Sequence, residues 1–246
     1  MYVKRQLFRD RDQYLKSFVG KSNLTDFVHH RYNLSFVDDP IAARSSPVAA
    51  NQLFKLRLGT NVASDRNIIR LFDDYSTRRN ITTRQYDVIF RGGVPDDWMR
   101  YLRQDVAPAL ERLGEKYRII KPVTRVSLKD YYREMQRGRI CISPFGYGEI
   151  CWRDFEAIVC GCLLIKPDMS HVDTNPDIFR AYETYVPVQW DFTDLVEKCS
   201  YYLNNEDERR RIADQAFGVL EQFYKGGGNK GAILNLLQQL MPSVSR

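Results

Sequence analysis

Four short stretches of this sequence carry residue types that could hold an anionic ligand, and each follows an apolar run. The first is Arg91-Gly92-Gly93, where missing side chains let backbone N–H groups approach a phosphate; a turn that merely needs glycine has the same composition. The second is Thr124-Arg125, whose guanidinium suits a phosphate and a solvated surface equally well. The third is SPFGYGE, residues 143–149, in which Pro144, Gly146 and Gly148 shape a loop with exposed backbone donors and Glu149 begins a helix, where its charge suits the dipole. The fourth is RDFEAIVCG, from residue 153. Here Arg153 and Glu156 stand three apart on one helix face, as a structural ion pair or a ligand-binding pair would.

These positions gain meaning from the elements around them. YDVIF ends in the Gly-Gly turn, as a buried parallel strand does, and a helix should follow from Val94 to Tyr117, stopped at Gly114 and kinked at Pro108. The alternation continues with strand YRIIKPV, a helix capped by Ser127, strand RICISPFG, a helix over residues 149–161 and strand CLLIKP. A strand YVPVQ and two helices, about 192–204 and 206–224, close the series. Repeated strand–helix units with near-continuous apolar strands predict an α/β, Rossmann-like parallel sheet with helices on both faces, over residues 84–225. The chemistry then belongs outside the carboxyl ends of the strands, where all four stretches fall.

Residues 1–83 lack a clean period and read as a short, irregular N-terminal lobe. A turn is expected at Asp38-Asp39-Pro40, a helix from about Val48 to Leu58 and a short strand at residues 68–72. Residues 226–246 are a tail in which a Gly-Gly-Gly break at 226–228 precedes a short helix, about Ala232 to Leu240.

Composition removes several classes. With 246 residues, 43% hydrophobic and 28% charged, the chain is an ordinary globular protein, and no window is apolar enough to span a bilayer. The charged start lacks an apolar leader core, and five cysteines, an odd number beside apolar runs, fit reduced thiols, so a cytoplasmic protein is expected. The sequons at Asn23, Asn33 and Asn80 then carry no weight. Cys160-Gly161-Cys162 lacks metal-site spacing, so no metal is expected. The net charge of +6 permits a phosphate ligand or an anionic membrane surface, but the one dense run, Arg209-Arg210-Arg211, follows three acids at helical spacing, so no nucleic acid is expected. No G-x-G-x-x-G follows any strand, which weighs against a dinucleotide oxidoreductase.

SPFGYGEICWRDFEAIVCGCLLIKP resembles the donor-binding signature in the C-terminal half of GT-B glycosyltransferases, in particular the CgeB-like and exostosin-like groups with their R-x-F-E-(four residues)-G pattern. Arg153, Phe155, Glu156 and Gly161 occupy the matching places, and a looser likeness runs over about residues 84–224. The resemblance implies that Glu156 holds the ribose or sugar of a nucleotide-sugar and that Arg153 contacts its diphosphate. Gly92, Gly93, Gly148, Arg125 and Glu149 complete the implied donor set. Where many such enzymes carry an acid eight positions before the matching Glu, this chain has Gly148, with Glu149 next to it. The implied activity is metal-independent transfer of a sugar from a nucleoside diphosphate sugar to a glycan or polysaccharide acceptor, with no further cofactor. A partner protein or a membrane would complete a chain whose N-terminal lobe is short; a non-catalytic module binding a glycan, nucleotide or protein is the alternative.

The base is sought outside the signature. Asp168 and His171, in the loop after CLLIKP, are placed by the end of a strand, while Asp26, His29 and His30 lie in the N-terminal region. Tyr131-Tyr132 and Tyr201-Tyr202 read as packing and rim residues.

Overall fold

The computed structural model describes residues 1–36, 47–75, 83–121 and 124–240. The turn at Asp38-Asp39-Pro40, the Asn80 sequon and the end of the YRIIKPV strand lie outside them. The centre is a five-stranded parallel sheet of β4 (Tyr86–Ile89), β5 (Ile119–Ile120), β6 (Gly138–Ile142), β7 (Leu163–Pro167) and β9 (Val186–Val188), in the order β5-β4-β6-β7-β9. Each strand is short and apolar, and alternation decides which layer a side chain enters. Ile140, Ile142, Leu163 and Ile165 face α3 (Val106–Gly114) and α6 (Leu195–Asn204). Cys141 and Leu164 face the opposite layer, with α4 (Leu128–Gln136), α5 (Trp152–Val159) and α7 (Glu206–Lys225). Helices thus cover both faces, as the strand–helix alternation predicts.

The strand order reverses between β4 and β6, because β5 lies beyond β4 and each later strand lies beyond β6. The loops after β4 and β6 therefore splay apart at their carboxyl ends, the place where open α/β sheets bind ligands. Residues 90–93 and 143–149 are those loops.

The N-terminal region adds β1 (Tyr2–Lys4), β2 (Gln6–Phe8), α1 (Asn23–Tyr32), β3 (Leu56–Leu58) and α2 (Arg66–Tyr75). β2 pairs antiparallel with β8 (Val172–Thr174), just after β7, and β1 pairs parallel with β3. Leu24, Val28, Ile68, Leu71 and Phe72 share one buried cluster with Phe145, Phe155 and Phe217. Tyr224 ties the closing helix to this region by donating to the Ala63 carbonyl at 2.6 Å.

Several local expectations are corrected. Residues 68–72 are helical, inside α2, because Ile68, Leu71 and Phe72 bury one helix face at a spacing that a strand would split between two. The helix expected from Val48 to Leu58 is a 3-10 turn, Ala50–Lys55, running into β3, where pairing with β1 takes over. The long helix over 94–117 is broken at residues 103–105 into a 3-10 turn, Trp98–Leu102, and α3. Pro108 then lies in the first turn of α3, where an N–H is not needed, and causes no kink. Finally, α5 begins at Trp152, so Glu149 stands before the helix and Asp154 is its first-turn acid. The last helix, α8 (Gly228–Leu240), starts a few residues earlier than the apolar spacing suggests.

Candidate functional site

Beside the switch point, between the loops after β4 and β5 and the start of α4, lies a cleft of about 630 Å³ lined by Arg91, Gly93, Thr124, Arg125, Val126, Leu128 and Tyr131. Arg91 enters it from the end of β4 and is forked onto Glu134 of α4, both contacts at 2.7 Å. Arg153, at the second position of α5, reaches across to donate to the Arg91 carbonyl at 2.9 Å, with its guanidinium 6.0 Å from the centre of the Phe90 ring. Its Nε and Nη1 are shielded from solvent and make no hydrogen bond. Arg103 joins the two loops by donating to the Phe145 carbonyl at 2.9 Å and the Gly93 carbonyl at 2.6 Å. Burial, and then the charge of Arg153, push the Arg103 pKa down. Among the described residues neither Arg103 nor Arg153 forms an ion pair with a carboxylate, although the charges of Asp97 and Asp154 reach them, so two guanidinium groups stand without a direct acidic partner beside the ends of β4 and β6.

Gly92 is part of this packing. A Cβ there would stand 2.6 Å and 2.8 Å from two atoms of the buried Phe90 ring, which also underlies Arg153. Gly92→Ala is expected to destabilise the fold by about 1–3 kcal/mol, read in chemical denaturation, because the ring has nowhere to move. Gly93 and Gly148 are open, and Gly146 donates to the Gly148 carbonyl at 3.0 Å, closing the second loop.

Glu156 follows Arg153 by one turn of α5. Its carboxylate accepts from Tyr131 at 2.7 Å and Tyr132 at 3.0 Å. The two tyrosines are therefore not mere packing or rim residues: they orient the acid, and Tyr131 also walls the cleft. Burial first, and the neighbouring Glu156 next, raise both hydroxyl pKa values, so both remain proton donors. A carboxylate has about four acceptor sites, so two remain for a ligand diol. The glycine of the signature also has a physical reason: Gly161 takes φ 76° just past the end of α5, a left-handed turn that leads into β7.

Glu149, His171 and Asp168 form a second group, beside the N-terminal strands. Glu149 is buried, accepts from Gln6 at 2.5 Å and stands 3.6 Å from His171 Nε2. Burial alone would raise its pKa, but the polar groups of His171 and Asn23 outweigh it and hold the carboxyl below its ordinary value of 4.5. Such a group stabilises the fold above its unfolded pKa, and that contribution is lost as pH falls through the folded one. The wild type is therefore expected to lose stability more steeply than Glu149→Gln as pH drops below 4.5, in denaturation midpoints measured against pH. His171 packs against Trp190, ring centres 5.2 Å apart, and with Asp168, Ser170 and Phe8 lines a cleft of about 550 Å³. Asp168 accepts from Ser170 and from Tyr185, at 2.5 Å and 3.3 Å, and its carbonyl accepts from Trp190 at 3.0 Å.

The structure thus gathers Gly92, Gly93, Arg125, Arg153 and the Tyr131–Glu156 pair at the switch point, with Arg125 exposed at its mouth. Glu149, expected in the same set, lines a different cavity from the one holding Gly93 and Arg125. His29 and His30 are occupied on α1, at 2.8 Å from the Leu34 carbonyl and 3.8 Å from Asp26. Tyr201 donates to Glu208 at 2.8 Å. Arg103, Gln6 and Asn23 escape sequence reasoning. Arg103 looks like one more solvated helix charge, and only the break at residues 103–105 turns it inward.

A parallel sheet whose order reverses beside β4, with arginines and glycines at the ends of its strands and a carboxylate one helical turn away, defines a doubly wound α/β architecture. The glycosyl transferase-like family matches residues 90–225, more than half of the chain and all the elements from the end of β4 to α7. This chain belongs to the glycosyl transferase-like family, and its fold is a Rossmann-like parallel α/β sheet with helices on both faces. Among solved structures it is similar to the C-terminal domain of a glycosyl transferase group 1 family protein (LpcC) from Francisella tularensis. The identity is 13% and the TM-score 0.38, over 68% of this chain and 83% of that one. No curated protein matches it. Among the described residues, no helix is long and apolar enough to cross a membrane.

Proposed function

We propose that the chain transfers a sugar from a nucleoside diphosphate sugar to a glycan or polysaccharide acceptor without a metal, as a CgeB-like or exostosin-like member of its family working in the cytoplasm. One observation carries the reading: guanidinium groups left without carboxylate partners at the switch point, one helical turn from a carboxylate held by two tyrosines. Glu156 accepts from the ribose or sugar diol, and Arg91, Arg103, Arg125 and Arg153 offset the charge that develops on the departing diphosphate. Backbone N–H groups at Gly92-Gly93 and around Gly148 approach the phosphate oxygens. As the acceptor oxygen bonds to the anomeric carbon, the bond to the diphosphate breaks with its electron pair on phosphate. His171 or Asp168 takes the hydroxyl proton. Residues 1–83 serve the acceptor, 84–225 the donor, and 226–246 close the chain.

The test is calorimetry and thermal shift of the purified chain against UDP, GDP, CMP and dTDP and their sugars, without added metal. A ligand at about 100 times its Kd stabilises by about 2.7 kcal/mol. In a protein of this size that raises the midpoint by about 5–10 °C. A response to one nucleotide, followed by transfer from its sugar, is expected. Silence across the panel overturns the donor site, and binding without turnover leaves a nucleotide-binding module instead.

A further inference from the structure

On the side of the molecule where β2 meets β8, a cavity of about 300 Å³ opens between the N-terminal segment and Glu149. Its wall is chemically mixed. Lys4, Lys16 and Lys21 line it, all exposed, and none has a carboxylate within ion-pairing distance among the described residues. Ser22 and Asn23, at the positive end of α1, line it too. The same wall holds the buried carboxylate of Glu149, whose charge reaches Lys4, and the Gln6 amide that donates to it. Asn23 Nδ2 and His171 Nε2 face the same carboxylate and are shielded from solvent, and His171 Nε2, at 3.6 Å from it, is too far for a close hydrogen bond. Phe8 and Phe18, ring centres 5.9 Å apart, add an apolar flank.

Asn23, which lines the cavity and is held only loosely by Glu149, can turn to a ligand oxygen there. Water could take that place, but water does not account for three ammonium groups around the same opening that form no ion pair among the described residues, one of them 4.8 Å from the centre of the Tyr14 ring. An acceptor for hydroxyl groups, aromatic rings for a sugar face and cations for a negative charge, all on one cavity wall, together fit one ligand chemistry. The volume lies at the lower end of the range for small-ligand sites, about 300–1,000 Å³, which suits one monosaccharide unit.

We infer that this cavity binds a monosaccharide unit carrying one anionic group, with Lys4, Lys16 and Lys21 on the anion and Glu149, Gln6 and Asn23 on its hydroxyls. Resting on the transferase reading, this makes the acceptor acidic, a phosphorylated or carboxylated sugar terminus, and places it beside His171. Glu149 then keeps the anion on the lysines by repulsion, which fixes the orientation of the sugar. The burial-lowered pKa of Lys4, partly restored by Glu149, fits a cation at the edge of a desolvated pocket.

The experiment titrates the full chain with glucose 6-phosphate, glucuronate, glucose and inorganic phosphate by calorimetry, and repeats it with Lys16→Gln/Lys21→Gln. Both lysines are exposed, so the variant keeps its fold, which its thermal midpoint checks. Expected is binding of glucose 6-phosphate or glucuronate, weakened about tenfold or more in the variant and by added salt, with glucose much weaker. The phosphate and carboxylate probes tell the two acidic classes apart. No binding of either acidic sugar, glucose binding equally well, or an unchanged variant overturns the inference; so does inorganic phosphate binding as tightly as the sugar phosphate, which would leave a plain anion site. Nucleotide binding is measured on the same two proteins. If it persists while acidic sugars fail, only this inference falls; if it is absent while acidic sugars bind, the donor reading falls.

Discussion

Replacing Glu156 by glutamine is expected to weaken nucleotide binding by about 10- to 150-fold, the equivalent of one lost charge-assisted hydrogen bond at about 1.5–3 kcal/mol. The amide cannot accept at both ends, so it must give up either a tyrosine or the ligand diol. The fold should survive, since Glu156 is only half-buried and its neighbours Phe155, Ala157 and Ile158 supply the packing of α5. Calorimetry with the best nucleotide of the panel reads the affinity, and the thermal midpoint reads the fold. Tyr131→Phe separates orientation from contact: it leaves the carboxylate in place but removes one of two donors, and a loss of only a fewfold is expected. If Glu156→Gln binds as tightly as the wild type, the carboxylate does not touch the nucleotide.

How far the sequence reveals this arrangement depends on which interactions decide each piece. Strands such as CLLIKP and helices such as SLKDYYREMQRG carry their period, caps and stops within themselves, and they stand where local reading puts them. Residues 68–72 have the same apolar content, but the partner of their buried face is α5, far along the chain, so a short run of β-branched residues misleads. The start of α5 shows the same limit. Glu149 precedes an apolar helical pattern, yet Asp154 takes the return hydrogen bond from Cys151 and sets the first turn three residues later. Glu149 is thereby free to point at Gln6 and His171, and its partners at position 6 and position 171 have no mark in the local sequence.

The switch-point charge follows the same logic. Arg153 and Glu156 are legible as a pair on one helix face, but not as partners of each other, and the structure gives them different neighbours. Arg153 faces the backbone of the β4 loop and Glu156 faces α4. What the sequence conceals is the sheet order, because adjacency of β4 and β6 is what brings Arg91, Arg103 and Arg153 to one place.

The largest loss of stability is expected from Asp154→Ala. Asp154 and Lys166 are both wholly buried and stand 3.2 Å apart, linking the first turn of α5 to β7. Asp154 also accepts from the Ser143 hydroxyl at 2.6 Å and from the Cys151 N–H at 2.8 Å, which fixes the loop after β6 to the same turn. Without the carboxylate, Lys166 is left charged among Phe145 and Phe179, whose ring centres lie 5.0 Å and 5.8 Å from its ammonium. Breaking a buried pair from one side costs about 3–5 kcal/mol. In a domain of this size that lowers the thermal midpoint by about 6–20 °C. The double variant Asp154→Ala/Lys166→Met removes the stranded charge and fills its space with an apolar chain, so it should recover part of the loss although Ser143 and Cys151 still lack their acceptor. If the double variant is as unstable as the sum of the two single ones, the ion pair is not what holds this corner together. Because Arg153 and Glu156 flank Asp154 on α5, nucleotide affinity should fall in Asp154→Ala even well below its midpoint and return, at least in part, in the double variant.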